Sequence, residues 1–100
     1  MVMTNEDWQT DDTSALFSVI VQLGTVQEAA DFFRDLCTRR ELEDMSARWR
    51  IVRLLEEGHP QRQIADETGA SSATVSRINQ WLRHGTGGYR WGIEQMENLR

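Results

Sequence analysis

The sequence predicts an all-α protein whose C-terminal half contains a helix-turn-helix. Apolar residues recur at spacings of three and four through most of the chain, which is the period of an amphipathic helix. Two capping boxes precede such segments, Thr25 with Glu28 and Thr38 with Glu41. Two further short helical segments meet at Gly69, and the strand-like run at 19–21 has no partner strand elsewhere in the sequence.

Length and composition favour one small folded domain. The 100 residues are 39% hydrophobic and carry a net charge of −5, and a chain of this size leaves little room for an active-site cleft, so we expect no enzyme. The lone Cys37 excludes an internal disulfide and a cysteine-rich zinc site. No apolar run approaches the roughly 20 residues that cross a bilayer, and the acidic N-terminus lacks the apolar stretch of a signal peptide. These features predict a cytoplasmic protein without a membrane partner.

The first helix is expected to be buried on every side. Residues 1–13 form an acidic segment that we predict to be a flexible arm, with Trp8 either docked or in solvent, and the helical domain occupies residues 14–100. The segment Ser14–Leu23 is apolar on nearly every side of a helix, so it requires cover all round. A monomer of 100 residues cannot enclose such a helix, which predicts a homodimer with an intertwined core.

The next two helices follow from the capping boxes. The helix after Thr25 has an apolar face that includes Cys37, which we interpret as a small core residue. The helix after Thr38 runs for about 20 residues to Gly58, a residue suited to a helix C-terminus, and Pro60 suits the opening of the following helix. Its predicted apolar stripe is Leu42, Met45, Trp49, Val52 and Leu55.

The helix-turn-helix is predicted over residues 61–82. A tight turn needs a residue comfortable at positive φ, and Gly69 stands at that point. The small core of the motif is expected to consist of Ile64, Ala65, Ala70, Val75 and Ile78. Ser71 or Ser72 caps the second helix, residues 72–83, whose exposed side then presents Ser72, Ala73, Ser76, Arg77 and Gln80.

Charge is distributed unevenly along the chain. Residues 1–47 carry ten acids against three arginines, whereas residues 48–100 carry eight arginines against six acids. The stretch 70–93 contains Arg77, Arg83 and Arg90 and no acid. An acidic protein can therefore present one basic face, and this distribution favours binding to double-stranded DNA.

Three segments together resemble the Trp repressor family. They are SARWRIVRLLEEGHPQRQIADETGASSATVSRINQWL (46–82), the preceding FFRDLCTRREL, and the trailing LRHGTGGYRWGIEQM. The outer two are similar to the YerC/YecD-type branch, and the resemblance covers about residues 14–97. It implies a six-helix subunit, an intertwined dimer, and a second motif helix that enters the major groove of an operator.

The resemblance also implies site residues. Carried over by position, the family's DNA contacts fall on Arg62, Ser71, Ser72, Ala73, Thr74 and Ser76, and Arg77 is a candidate for a phosphate contact. Short hydroxyl and methyl groups leave room for base contacts through water, as described for the Trp repressor itself.

The resemblance also concerns a ligand pocket. Arg48 and Arg77 match two arginines that sandwich the indole ring in tryptophan-responsive members, and Thr74 matches a further pocket position. Ile78 and Trp81 stand where those members have a glycine and a serine, so both add bulk. We therefore predict that tryptophan is not a ligand, and that Trp81 fills the space instead. A different, amino-acid-like corepressor stays open.

The leading function is a sequence-specific transcriptional regulator, with repression resting on the resemblance. The alternative is a helix-turn-helix module that binds a protein within a regulatory complex, and a third option is the DNA-binding part of a recombinase. His59 and His84 lack partners at metal-ligand spacing, and the serines of the motif lack a histidine arrangement for nucleophilic catalysis. No metal and no catalytic residue are predicted.

Overall fold

The computed structural model describes residues 7–99, which form six α-helices and no strand. The predicted all-α class with six helices is therefore confirmed. The chain divides into a first unit up to Arg39 and a second unit from Arg40. The helices are α1 (Asp11–Ile20), α2 (Val26–Leu36), α3 (Arg39–Glu56), α4 (Gln61–Thr68), α5 (Ser72–His84) and α6 (Gly88–Asn98). No helix within the described residues is long and apolar enough to span a bilayer.

Helix α1 begins earlier than predicted. It starts at Asp11, inside the segment 1–13 that was expected to be a flexible arm. The cause is a capping box between two threonines: the Thr13 amide donates to Thr10 Oγ1 at 3.2 Å, and the Thr10 amide donates to Thr13 Oγ1 at 2.8 Å. Trp8 docks on this helix, with its ring edge-on to Phe17 at a centroid distance of 6.2 Å. Residues 1–6 of the predicted arm lie outside the described residues.

Helix α2 forms the predicted cap with one variation. The Glu28 amide donates to Thr25 Oγ1 at 3.0 Å, as expected of the capping box. In a capping box the Glu28 carboxylate would accept from the amide of the cap residue, Thr25. Here it accepts from the amide of the preceding residue, Gly24, at 2.8 Å. The two bonds satisfy two amides at the helix entrance and fix the α1–α2 connection.

Several large apolar side chains in the described part of the first unit are exposed. Neither α1 nor α2 contains a buried residue. Phe17 and Val19 are each 48% exposed, and Val26 is 88% exposed. The described residues therefore leave part of the apolar surface of these two helices uncovered.

The core lies in the second unit and draws on all four of its helices. Its fully or nearly buried members are Ile51, Val52, Leu55, Ile64, Val75, Ile78, Leu82 and Ile93. Helix α3 supplies three of them from its C-terminal half, whereas Met45, which was predicted on the same stripe, is exposed. The N-terminal half of α3 is therefore not part of this core.

The end of α3 sets the direction of the chain towards the helix-turn-helix. Gly58 has a φ of +91°, as its predicted position at the helix end requires. The Gly58 amide donates to the Leu55 carbonyl and the His59 amide donates to the Leu54 carbonyl, both at 3.1 Å. This pair of bonds is the Schellman motif, which stops the helix within one residue. Pro60 then precedes α4 with a φ of −62°.

Candidate nucleic-acid interface

Helices α4 and α5 form the predicted helix-turn-helix around Gly69. This glycine has a φ of +76°, and a Cβ placed there would meet no atom within 4 Å. The requirement for glycine is therefore one of backbone conformation and not of space. Thr68 also secures the turn, because its hydroxyl donates to the Ile64 carbonyl at 2.7 Å and accepts from the Ala70 amide at 3.3 Å. Sequence reasoning missed Thr68, although a threonine before a turn glycine is a local signal for such bonding.

Ser71 is the cap of α5. Its hydroxyl accepts from the Thr74 amide at 3.1 Å and donates to Thr74 Oγ1 at 2.9 Å. Of the two serines that the sequence offered as caps, Ser71 takes the role and Ser72 becomes the first helical residue. The hydroxyls of Ser71 and Thr74 are thus committed to the start of α5, while that of Ser72 is exposed.

The outward side of α5 carries small and polar side chains. Its inward side is formed by Val75, Ile78 and Leu82, which are buried at spacings of three and four. The exposed residues opposite, which we call the recognition face, are Ser72, Ala73, Ser76, Arg77 and Gln80. All five were expected on this side, and the structure leaves them accessible.

Three arginines around the motif carry free positive charge. Arg62 is exposed in the first turn of α4, and Arg77 and Arg83 are exposed on α5. No carboxylate among the described residues forms an ion pair with any of them. Helix α5 contains no acid, so no carboxylate of the same helix can form an ion pair with Arg77 or Arg83.

A shallow cleft lies between α3 and the turn of the motif. Its volume is about 290 Å³, and its lining consists of Asp44, Ala47, Arg48, Ile51, Thr68, Gly69, Ala70 and Thr74. The structure thus brings together two of the five residues of the implied ligand pocket, Arg48 and Thr74. Asp44, which sequence reasoning missed, adds a carboxylate that lies 3.6 Å from Arg40.

The other three implied pocket residues do not line this cleft. Ile78 is 1% exposed and belongs to the core, as the sequence predicts. The physical reason is its place three residues after Val75, on the inward side of α5. Trp81 is 49% exposed and is not among the residues that line the cleft. Arg77 lies on the recognition face.

His59 and Cys37 are two further residues that could bind a metal ion or react. His59 Nε2 lies 3.3 Å from Glu57 Oε2 on the surface. Across residues 7–99, no cluster of three or more histidine, cysteine, aspartate or glutamate side chains could hold a metal ion. Cys37 is partly buried at the end of α2.

Known proteins resemble this chain in both sequence and structure. The YerC protein of Bacillus subtilis, which is uncharacterized, is 37% identical over 82 residues, which are 82% of this chain and 79% of YerC. The crystal structure of a TrpR-like protein from Eubacterium eligens is similar with a TM-score of 0.83 and 38% identity, over 93% of this chain and 96% of that chain. A candidate Trp repressor from Staphylococcus aureus has the same TM-score at 31% identity, over 96% of both chains.

The family model described as Trp repressor protein matches residues 11–97, which include all but the last residue of the six helices. The segments that suggested the resemblance therefore belong to one continuous match, and this chain belongs to the Trp repressor family.

Proposed function

We propose that this protein is a sequence-specific DNA-binding transcriptional regulator that inserts α5 into the major groove of its operator. The observation that carries the proposal is the recognition face: an exposed, acid-free helix side of small and polar groups, beside arginines that form no ion pair with a described carboxylate. Membership of the Trp repressor family supports the same function and favours repression, in which an occupied operator excludes the polymerase.

Electrostatics support contact with phosphates. Exposed guanidinium groups that lack carboxylate partners can displace counterions from DNA, which is the main source of affinity in such complexes. Arg62 stands in the first turn of α4, a turn without acids, where the helix dipole adds positive potential. The overall charge of −5 does not oppose this contact, because the acids concentrate outside residues 70–93.

Side-chain size supports reading of bases at the start of α5. Ser72, Ala73 and Ser76 are short, so the helix axis can approach the floor of the groove closely. A serine hydroxyl accepts or donates, and an alanine methyl can contact the methyl group of thymine. The bonds from Ser71 to Thr74 hold the first turn of α5 rigid before DNA arrives.

The proposed active form is a homodimer of two such subunits. The apolar side chains left exposed on α1 and α2 supply the surface that a second copy would cover, and a hydrophobic surface of this kind marks an interaction site. A two-fold dimer presents two α5 helices, which address half-sites one DNA turn, or about 34 Å, apart.

Selection of genomic DNA fragments tests the function directly. Purified protein is incubated with fragments of the source genome, with and without a mixture of amino acids, and the retained DNA is sequenced. We expect an enriched, near-palindromic site. Retention without an enriched sequence, or no retention, would argue against specific regulation and for the protein-interaction module.

Arg62→Ala tests the phosphate or guanine contact of α4. We expect at least about a tenfold loss of operator affinity, and a salt dependence that becomes shallower by about two ions per dimer, since each subunit loses one contact. The affinity is measured by fluorescence anisotropy at several salt concentrations.

Arg40→Ala is the matched control, because it removes the same charge from a side chain that is 85% exposed and lies near Asp44. The control should bind the operator nearly as the wild type does. If Arg62→Ala also binds as tightly as wild type, Arg62 makes no DNA contact.

Val19→Asp tests the intertwined dimer. A carboxylate on the exposed apolar side of α1 cannot be buried in an interface without a large desolvation cost, so we expect loss of the dimer together with much of the folded structure. Sedimentation and circular dichroism follow the two effects. Ser18→Asp, at an exposed polar neighbour, is the control; a Val19→Asp protein that is monomeric and fully folded would contradict the intertwined arrangement.

Tryptophan is expected not to act as corepressor. Among the described residues, Arg48 is the arginine that lines the cleft beside the motif, and neither Arg77 nor Trp81 lines it. Titration calorimetry with tryptophan should give no saturable heat, and operator affinity should be the same with and without the amino acid. Saturable binding at micromolar tryptophan would overturn this prediction.

A further inference from the structure

Helix α6 is fastened to α3 by directional contacts. Arg90 Nη1 donates to Glu56 Oε1 at 2.8 Å and to Oε2 at 2.5 Å, across 34 positions of sequence. The rings of Trp49 and Tyr89 lie 6.4 Å apart at a tilt of 42°. Gly92 lets the helices approach closely, because a Cβ at that position would stand 2.7 Å from Trp49 Cη2.

Helix α5 has no comparable fastening. Its inward residues Val75, Ile78 and Leu82 are buried in the shared core. Within residues 7–99, no side-chain hydrogen bond or ion pair joins α5 to another helix. Only residues 85–87 separate its end from the beginning of α6. The position of α6 therefore constrains the end of α5.

We propose that Glu56 and Arg90 are positioning residues for DNA recognition: their ion pair holds α6 on α3 and thereby fixes the angle at which α5 meets the operator. This inference rests on the proposed function. Neither residue lies on the recognition face, and neither contacts DNA in the proposed complex.

The physical argument is one of directionality. Apolar burial has no preferred direction, so packed helices can slide or rotate by small amounts at little cost. A charge-assisted hydrogen bond loses strength as its geometry is disturbed, and so it selects one arrangement. The pair is partly shielded, with side-chain exposures of 41% for Arg90 and 30% for Glu56. It is therefore less screened by salt than the exposed pair of Arg40 with Asp44.

Glu56→Gln distinguishes a positioning role from a simple charge effect, because the two predict opposite changes in operator affinity. The substitution removes a negative charge, so electrostatics alone predicts tighter binding to DNA. If Arg90 worked by touching phosphate, release from Glu56 would also strengthen binding. Positioning predicts the opposite, and we expect operator affinity to fall by about fivefold to tenfold. Affinity for DNA of unrelated sequence should stay within about twofold of wild type, because the unpaired arginines are unchanged.

Glu94→Gln is the matched control. Glu94 is exposed on α6 and forms no ion pair with a described residue, so its replacement removes the same charge without loosening the helix. Its operator affinity should equal or slightly exceed that of the wild type. The affinity for unrelated DNA also reports the active fraction of each protein, so partial unfolding would lower both affinities together.

The exchange of Glu56→Arg with Arg90→Glu provides the rescue. The double variant should recover most of the operator affinity that either single exchange loses, since the pair is restored in reverse. Two results would overturn the inference and leave the proposed function standing, provided that the wild type binds its operator. One is that Glu56→Gln binds the operator as tightly as Glu94→Gln does. The other is that the double exchange recovers no affinity. Wild-type protein that selects no sequence would overturn the proposed function, and the inference with it.

Discussion

The packing of the helix-turn-helix on α3 is the interaction on which the rest of the structure depends. Ile64 and Val75 are fully buried, yet two short helices cannot bury such side chains by themselves. The second half of α3 supplies the missing surface through Ile51 and Val52. Each fully buried side chain of this kind contributes about 1.5–3 kcal/mol, so the motif exists as a unit because α3 carries it. The recognition face is then the side of α5 that does not pack into this core.

Sequence reasoning succeeded where a local rule decides the structure. The turns at Gly58 and Gly69 follow from backbone geometry within a few residues, and both are confirmed. For the cap of α5 the sequence offered Ser71 or Ser72, and Ser71 takes the role. It failed at the start of α1, where the capping pair was Thr10 with Thr13 and not the more familiar combination with glutamate. It also missed the ion pair between Glu56 and Arg90, because no local pattern relates residues 34 positions apart.

Ile78 shows how two kinds of inference compete at one position. Its spacing from Val75 placed it in the core, whereas positional matching with tryptophan-responsive relatives placed it in a pocket. The structure confirms the core position, because Ile78 lies on the inward side of α5 and is buried. A matched position thus transfers a place in the fold, but it transfers a function only if the side chain can perform it.

Charge counted along the chain is similarly incomplete. Arg77 and Arg90 lie in the same acid-free stretch, but Glu56 neutralises Arg90, whereas no carboxylate within residues 7–99 forms an ion pair with Arg77. The two arginines consequently belong to different levels of the proposed recognition. In the proposed complex, Arg77 adds to the potential that meets the phosphates, whereas Arg90 acts within the subunit on the angle of α5. The proposed dimer sets a third quantity, the separation of the two α5 helices. In this proposal the charge that faces the phosphates, the angle of α5 and the half-site spacing each depend on a different set of contacts, and operator affinity depends on all three.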